Sequence, residues 1–417
     1  MHSPTVDMSA LNSELGSLPV SESRKYRVTI RLCGTLAELE ELRPAWNHLL
    51  QTCPRASIFL TPEWLFSWWQ AFGAARQLLT IAFHDGDQKV VGLAPMYVEQ
   101  QKFCGLHLNF LRLLGAGSGD SDALDFLISP GYEQACAEAF LAWLAQESAS
   151  DVCALETLPQ DSAIAQYLST ITPRSGIRLY SENLPNVFID LPATWPGYLQ
   201  TLAPAFRPLL TRYPRRLQSR FQVEVTRCGR EGELASSLDA LFTLHQMRWT
   251  GRGEPGAFSN PERRDFYLRM AHAFQSRGWL EFWLLRLDGE VAAAQFCFRY
   301  RDTVYLLQEG FHPKYAAEKV GYALRAQVLQ AMIQSGAKRY DFLGGADSYK
   351  LKFGVRCGSY VSLSFAPTLR GRLWLSARHR KQQFKAAIKR MLPAAALAAL
   401  GREASGSRKK QIPGSPE

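Results

Sequence analysis

The sequence predicts a mixed α/β chain made of two related units side by side. Two observations carry this reading: six elements recur in the same order, and the two copies keep a nearly constant offset. Capped helix starts at Thr61-Pro62-Glu63 and Asn260-Pro261-Glu262 lie 199 residues apart, and the turns Asp85-Gly86-Asp87 and Asp288-Gly289-Glu290 lie 203 apart. A chain of 417 residues is also long for one core.

In the first unit, apolar residues at helical spacing predict a helix over 36–50. Thr61 can accept from the free N–H groups of the next helix, and Pro62 suits its first turn. Strands over 78–83 and 90–98 flank the Asp-Gly turn. A third strand (108–114), a Gly/Asp loop, a helix (132–145) and a strand (152–158) complete the unit. The second unit repeats this order with a helix over 233–249, another opening after Asn260, strands over 281–287, 291–300 and 303–309, a helix from Gly321 and a short strand over 340–343.

Three strands joined by short turns predict antiparallel pairing, and the strand–helix–strand step predicts a right-handed parallel crossover. In each unit the third strand and the strand after the helix can splay, with the helix start facing the gap. Its bare N–H groups and positive dipole end suit a pyrophosphate. In the second unit that start is Lys319-Val320-Gly321-Tyr322, and Leu324, Val328 and Met332 follow at four-residue steps on one packed face. The expected division is a disordered segment 1–25, a first unit 26–190, a basic helical connector 191–225, a second unit 226–369 and a basic tail 370–417 with a disordered end. The crevice between the units is the default ligand site.

Composition narrows the function classes. With 47% hydrophobic and 21% charged residues, the chain is globular in character. Eight cysteines are scattered without C-x-x-C spacing or neighbouring histidines, which argues against a zinc site or a disulfide framework and for reduced thiols in a cytosol. No signal peptide or membrane-spanning run is expected, so the predicted location is cytoplasmic. The net charge of +10 resides in the tail: 12 of the 48 Lys and Arg but two of the 38 acids lie from Arg370 onward, leaving 36 of each in residues 1–369. Leu373, Leu375, Phe384, Ile388, Met391 and Leu392 interleave there with basic residues, so the tail is either a peripheral membrane helix or a solvated terminal one. Nucleic-acid binding by the body is not expected. No G-x-S-x-G, H-E-x-x-H or complete Walker loop supports a hydrolase, metalloprotease or NTPase.

The segment Y-D-F-L-G-G-A-D-S-Y-K-L-K-F-G (340–354) singles itself out. A short buried strand ends in two glycines, and Asp347, Tyr349, Lys350 and Lys352 follow. Backbone without side chains can approach a ligand closely, so this is a candidate site; the plainer alternative is a glycine turn with solvated lysines.

The order of elements resembles the GNAT acetyltransferase fold, and its doubling resembles Fem-type aminoacyltransferases. More closely, the chain is similar to the CelD/BcsL-type acetyltransferases linked by name to cellulose biosynthesis. The resemblance covers about 40–370 and rests on L-H-Q-M-R-W (244–249), D-G-E-V-A-A-A-Q-F (288–296), Q-E-G-F-H-P-K-Y-A-A-E-K-V-G-Y-A-L (308–324), Y-D-F-L-G-G-A-D-S-Y-K (340–350) and G-S-G-D-S-D-A-L-D-F (117–126). The phosphate loop of acetyl-CoA-dependent members is represented here by Lys319 and Gly321 alone.

The resemblance implies transfer of an acyl group, acetyl in the first instance, from acyl-CoA to an amine of a sugar, amino acid or envelope precursor, without a metal. Backbone N–H groups of Gln308 to Gly310 are the expected oxyanion donors, and Lys319, Gly321 and Tyr322 the rest of the donor site. Asp341 and Glu309 are the leading bases, and Tyr349 is placed to protonate the leaving sulfur. His245, Arg248, Asp347 and Lys350 are expected to hold the acceptor. Two other readings remain open: an aminoacyl-tRNA-dependent transferase, with the basic connector (Arg207, Arg212, Arg215, Arg216, Arg220) and tail on the tRNA, and a non-catalytic accessory of a polysaccharide machine. Trp64, Trp68, Trp69 and Phe72 read as core, and Asp120, Asp122 and Asp125 as residues that order their loop.

Overall fold

The computed structural model describes residues 27–391 apart from 147, 175, 230, 231 and 251–255; the side chains of 174, 248–250 and 385–391 are also outside the described set. The expected disordered segments 1–25 and 402–417 therefore lie outside the described residues. In chain order the first half contains β1 (Thr29–Cys33), α1 (Leu36–Glu41), α2 (Arg43–Thr52), α3 (Pro62–Phe72), β2 (Gln77–His84), β3 (Val90–Phe103), β4 (Leu106–Leu113), β5 (Leu127–Ile128), α4 (Glu133–Gln146), β6 (Val152–Pro159), α5 (Ala163–Ile171) and β7 (Arg178–Asp190). The second half contains α6 (Trp195–Thr201), α7 (Arg207–Gln218), β8 (Val223–Arg227), α8 (Glu233–Thr250), α9 (Pro261–Ser276), β9 (Leu280–Leu287), β10 (Glu290–Tyr300), β11 (Thr303–Phe311), α10 (Val320–Gln334), β12 (Arg339–Gly344), β13 (Arg356–Ala366) and α11 (Leu369–Met391).

Local chemistry sets the helix starts. Thr61 accepts from Trp64 N–H, and Asn260 accepts from Glu262 and Arg263 N–H, each with Pro in the first turn. The single helix expected over 36–50 is instead two, α1 and α2, which meet at Leu42 with Pro44 in the first turn of α2. The expected connector is helical, as α6 and α7. Among the described residues, no helix is long and apolar enough to cross a membrane, and all eight cysteines are free.

The strands form one mixed sheet in the order β1-β2-β3-β4-β6-β13-β7-β12-β11-β10-β9-β8, with β5 beside β3. The centre of this order shows an exchange. β13, the last strand of the second half, pairs with β6 of the first, and β7, the last strand of the first, pairs with β12 of the second. The exchanged strands then pair with each other from Arg356↔Phe188 to Ala366↔Arg178. Each half therefore completes its sheet with a strand from the other.

The two halves also share one aromatic core, where a crevice was expected. Trp64 meets the Phe266 ring edge-on at 5.0 Å and stacks on Phe274 at 6.0 Å, while Phe59 meets Phe298 and Tyr305. Trp64 and Trp68 are fully buried, and Phe72 is buried too. These rings pack α3 against α9 and close the space between the units, so the ligand site lies elsewhere.

Helix α11 docks on the first half through Leu375 and Trp374, whose ring lies 4.9 Å from Phe110. Thr368 Oγ1 donates to Asp151 Oδ1 at 2.8 Å, and Gly371 N–H donates to Thr368 Oγ1. A Cβ on Gly371 would collide with the Asp151 carbonyl oxygen. Gly371→Ala is therefore expected to lift the start of α11 and cost about 1–3 kcal/mol, seen as a lower Tm. An unchanged Tm would mean the helix is not held this closely.

Candidate active site

In the second half the parallel pair β11–β12 is short. It runs through Thr303↔Arg339, Val304↔Tyr340 and Tyr305↔Asp341, and then the strands part. β11 carries an extra residue at Leu307, since Phe296 faces Gln308 and Cys297 faces Leu306. A bulge of this kind bends a strand away from its neighbour. The end of β12 is bulged too: Asp341 faces Phe188 but Gly344 faces Asn186, and Leu343 takes the left-handed conformation at φ 61°. The wedge between the parted strands is the candidate site.

Arg325, from the second turn of α10, occupies the inner part of the wedge and is 3% exposed. Its guanidinium pairs with Glu309 and lies over the rings of Phe342 (5.4 Å), Tyr349 (5.2 Å) and Phe353 (4.8 Å). Burial works against this charge, but Glu309 outweighs it and keeps the guanidinium protonated. Gln295 Nε2 also donates to Glu309 Oε2 at 3.3 Å. Glu309 is thus held as the acceptor of an ion pair. Sequence reasoning missed Arg325; its signal was a charge among the apolar residues Leu324, Ala326 and Val328.

The β12 end is wrapped by charge. Lys350, 6% exposed, donates to the carbonyls of Phe342, Gly344 and Gly345 at 3.0–3.1 Å, with Asp347 Oδ2 3.7 Å away. Three donors on three carbonyls use the ammonium fully, and burial lowers its pKa. Asp341 Oδ1 accepts Leu343 N–H and Asp122 Oδ2 accepts Gly344 N–H, both at 2.7 Å. Burial pushes the Asp341 carboxyl up to about 7; the Leu343 N–H opposes this, and the Asp122 charge adds to it. Asp122 comes from the Gly/Asp loop of the first half, so both halves build this end of the strand.

The other expected residues fall around the wedge. Tyr349 is half-buried under Arg325, and Asp347 is exposed. The side chain of Gln308 bonds the Tyr267 hydroxyl. His312 N–H donates to Ala292 O, so alternation along β11 turns the Gln308 and Gly310 N–H groups toward β10 and the Glu309 N–H toward the β12 side. Gly310 serves packing: a Cβ there would lie 2.9 Å from Leu244 Cβ and 3.1 Å from His245 N, so glycine lets α8 lie against β11. His245 is buried with its ring against Phe258. The Arg248 side chain lies outside the described residues.

Lys319 is exposed at φ 59° and immediately precedes α10, whose start has no side-chain cap. Gly321 is in the first turn, and a Cβ there would meet only the Phe311 ring at 3.8 Å. Tyr322 packs away from this end, stacked on Phe353 at 5.7 Å and 6.0 Å from Phe206. In the connector, Arg216 and Arg220 pair with Glu318.

Among the described residues, the first half shows no equivalent site. The same bulge recurs in β6, where Thr157 has φ 56°, but the position matching Asp341 is Leu155. Glu133, in the first turn of α4, accepts from Gly131 N–H just before the helix. The loop after β4 crosses instead to the second half. There Asp120 pairs with Arg263 and accepts from Tyr267, while Asp125 stays within the first half and accepts from Ser162 at the start of α5. Two splayed sites were expected; among the described residues, the second-half wedge is the one lined by Arg325, Glu309 and Asp341.

Residues 205–351 match the sequence family described as an acetyltransferase (GNAT) domain, which spans the whole wedge. The second half of the chain is thus similar to GNAT acetyltransferase domains. FemX shares the fold: 11% identity, a TM-score of 0.57, and coverage of 80% of this chain and 97% of that one. A conserved protein of unknown function from Bacteroides thetaiotaomicron is 13% identical with a TM-score of 0.49, covering 81% of this chain and 100% of the other. A tandem GNAT protein from the clavulanic acid biosynthesis pathway is 11% identical with a TM-score of 0.45, covering 82% and 99%. No curated protein matches the sequence.

Proposed function

We propose that the chain is an N-acyltransferase whose single reaction centre is the β11–β12 wedge, with acyl-CoA as donor and an amine of a sugar, amino acid or envelope precursor as acceptor. The observation that carries this reading is the parted, bulged strand pair beside a buried carboxyl that titrates near neutrality, within the segment that matches the acetyltransferase family. The α10 start suits the anionic part of such a donor: it lacks a side-chain cap, Lys319 is exposed before it, and Gly321 leaves space over its first turn. Bound acyl-CoA would supply the activated thioester.

The chain's own residues then handle protons and position. Asp341 keeps Oδ1 on Leu343 N–H and accepts the proton of the amine on Oδ2. Lys350 and Asp122 fix the backbone on which Asp341 rides. Tyr349, held under Arg325, is the candidate acid for the leaving thiolate.

Titration calorimetry with acetyl-CoA, longer acyl-CoAs and free CoA tests the donor. Binding is expected, and Lys319→Glu should weaken it about tenfold by placing an anion beside the phosphates. Absence of binding to every CoA species, with tRNA binding that weakens steeply with salt, would replace acyl-CoA by an aminoacyl-tRNA donor.

A further inference from the structure

Helix α11 presents an apolar stripe on the wrong side for a helix that packs on a protein. Leu369, Leu373 and Phe384 are 72%, 64% and 68% exposed. At about 100° per residue they fall within an arc of roughly 60°. The buried residues Gly371 and Leu375 fall on the opposite side, where the helix meets Asp151 and Phe110. The stripe spans about 22 Å of helix at 1.5 Å per residue. Its surroundings are basic: Arg370, Arg372, Arg380 and Lys381 are exposed, and no acidic residue occurs between Leu369 and Met391.

We infer that α11 is a docking surface for an anionic lipid bilayer, lying flat in the headgroup region with Leu369, Leu373 and Phe384 inserted. Charge complementarity selects this occupant. A helix with several cations and no anion is attracted to acidic headgroups. Exposed leucines add nothing to binding of a phosphate backbone in water, whereas they gain free energy at the acyl boundary. The helix is also fixed to the body by Thr368, Gly371 and Leu375, so docking would orient the whole protein on the membrane. This inference stands independently of which acyl donor the wedge uses.

Flotation of the full chain with vesicles tests it. The protein is expected to float with vesicles containing one quarter phosphatidylglycerol at low salt, to remain behind with pure phosphatidylcholine, and to be released by high salt. The double variant Leu373→Glu/Phe384→Glu should lower partitioning at least about tenfold, as should Arg370→Glu/Arg380→Glu/Lys381→Glu. Circular dichroism checks that the variants are folded, which is expected because these side chains point to solvent. The inference falls if the wild-type chain ignores anionic vesicles or if the apolar double variant floats as well as wild type. It falls equally if Leu373→Glu/Phe384→Glu turns a soluble dimer into a monomer without changing flotation, since a second copy would then be the occupant.

Discussion

Asparagine at position 341 is expected to abolish acyl transfer and, at pH 8, to make the protein more stable. Loss of a general base typically costs about a hundred- to ten-thousandfold in kcat. The stability gain follows from linkage. In the fold, burial raises the Asp341 carboxyl to about 7 from its ordinary 3.8. Between those values the folded chain holds a proton that the unfolded chain has released. Stability therefore falls as pH rises from about 4 to 7 and stays reduced above it. Asparagine keeps an oxygen for the Leu343 N–H and removes the charge, so it should recover about 1–3 kcal/mol at pH 8 and little at pH 4.

The same titration should shape the rate. Wild-type kcat/KM is expected to rise through about pH 7 as Asp341 deprotonates. The charged or titratable groups facing it are Asp122 from the first-half loop, Arg339 and Lys350 near its own strand, Tyr305 from β11 and Tyr360 from β13. Asp122→Asn removes a neighbouring negative charge and should move the acid limb to lower pH. Thermal melts at pH 4 and 8 and a rate profile decide the matter. An Asp341→Asn enzyme with more than about a tenth of wild-type activity would remove Asp341 from the mechanism.

What the sequence disclosed was local chemistry. Thr61 and Asn260 mark helix starts because a cap needs only residues within one turn, and the Asp-Gly turns mark hairpins for the same reason. β7 and β13 were not foreseen. Much of β7 is exposed, it contains Pro185, and its partners lie in the other half, so no alternation announces it. The repeat also suggested two splayed sites, because spacing cannot distinguish Leu155 from Asp341 at the matching bulge. The candidate carboxylates were visible singly, yet their states depend on distant neighbours: Glu309 on Arg325 from α10, and Asp341 on Asp122 from the other half. The basic tail was visible in composition. Which of its faces is packed became clear only once Gly371 was placed against Asp151.

Arg325→Met is expected to be the most destabilising single change in the wedge, at about 3–5 kcal/mol in urea denaturation, because it leaves the Glu309 carboxylate with Gln295 but without its cation. The aromatic rings of Phe342, Tyr349 and Phe353 would lose the cation they surround as well. Combining Arg325→Met with Glu309→Leu should recover most of the loss, since a buried pair replaced by apolar groups of similar volume is often close to neutral. The coupling energy in that cycle measures the pair. Strict additivity of the two single changes would show that Glu309 is satisfied by other groups. The pair also bears on the base. Glu309→Gln leaves the amide oxygen facing Arg325, so the acid limb should remain near pH 7 if Asp341 takes the proton. Disappearance of that limb in Glu309→Gln, with Asp341→Asn retaining it, would transfer the role to Glu309 and recast Arg325 as the group that sets its basicity.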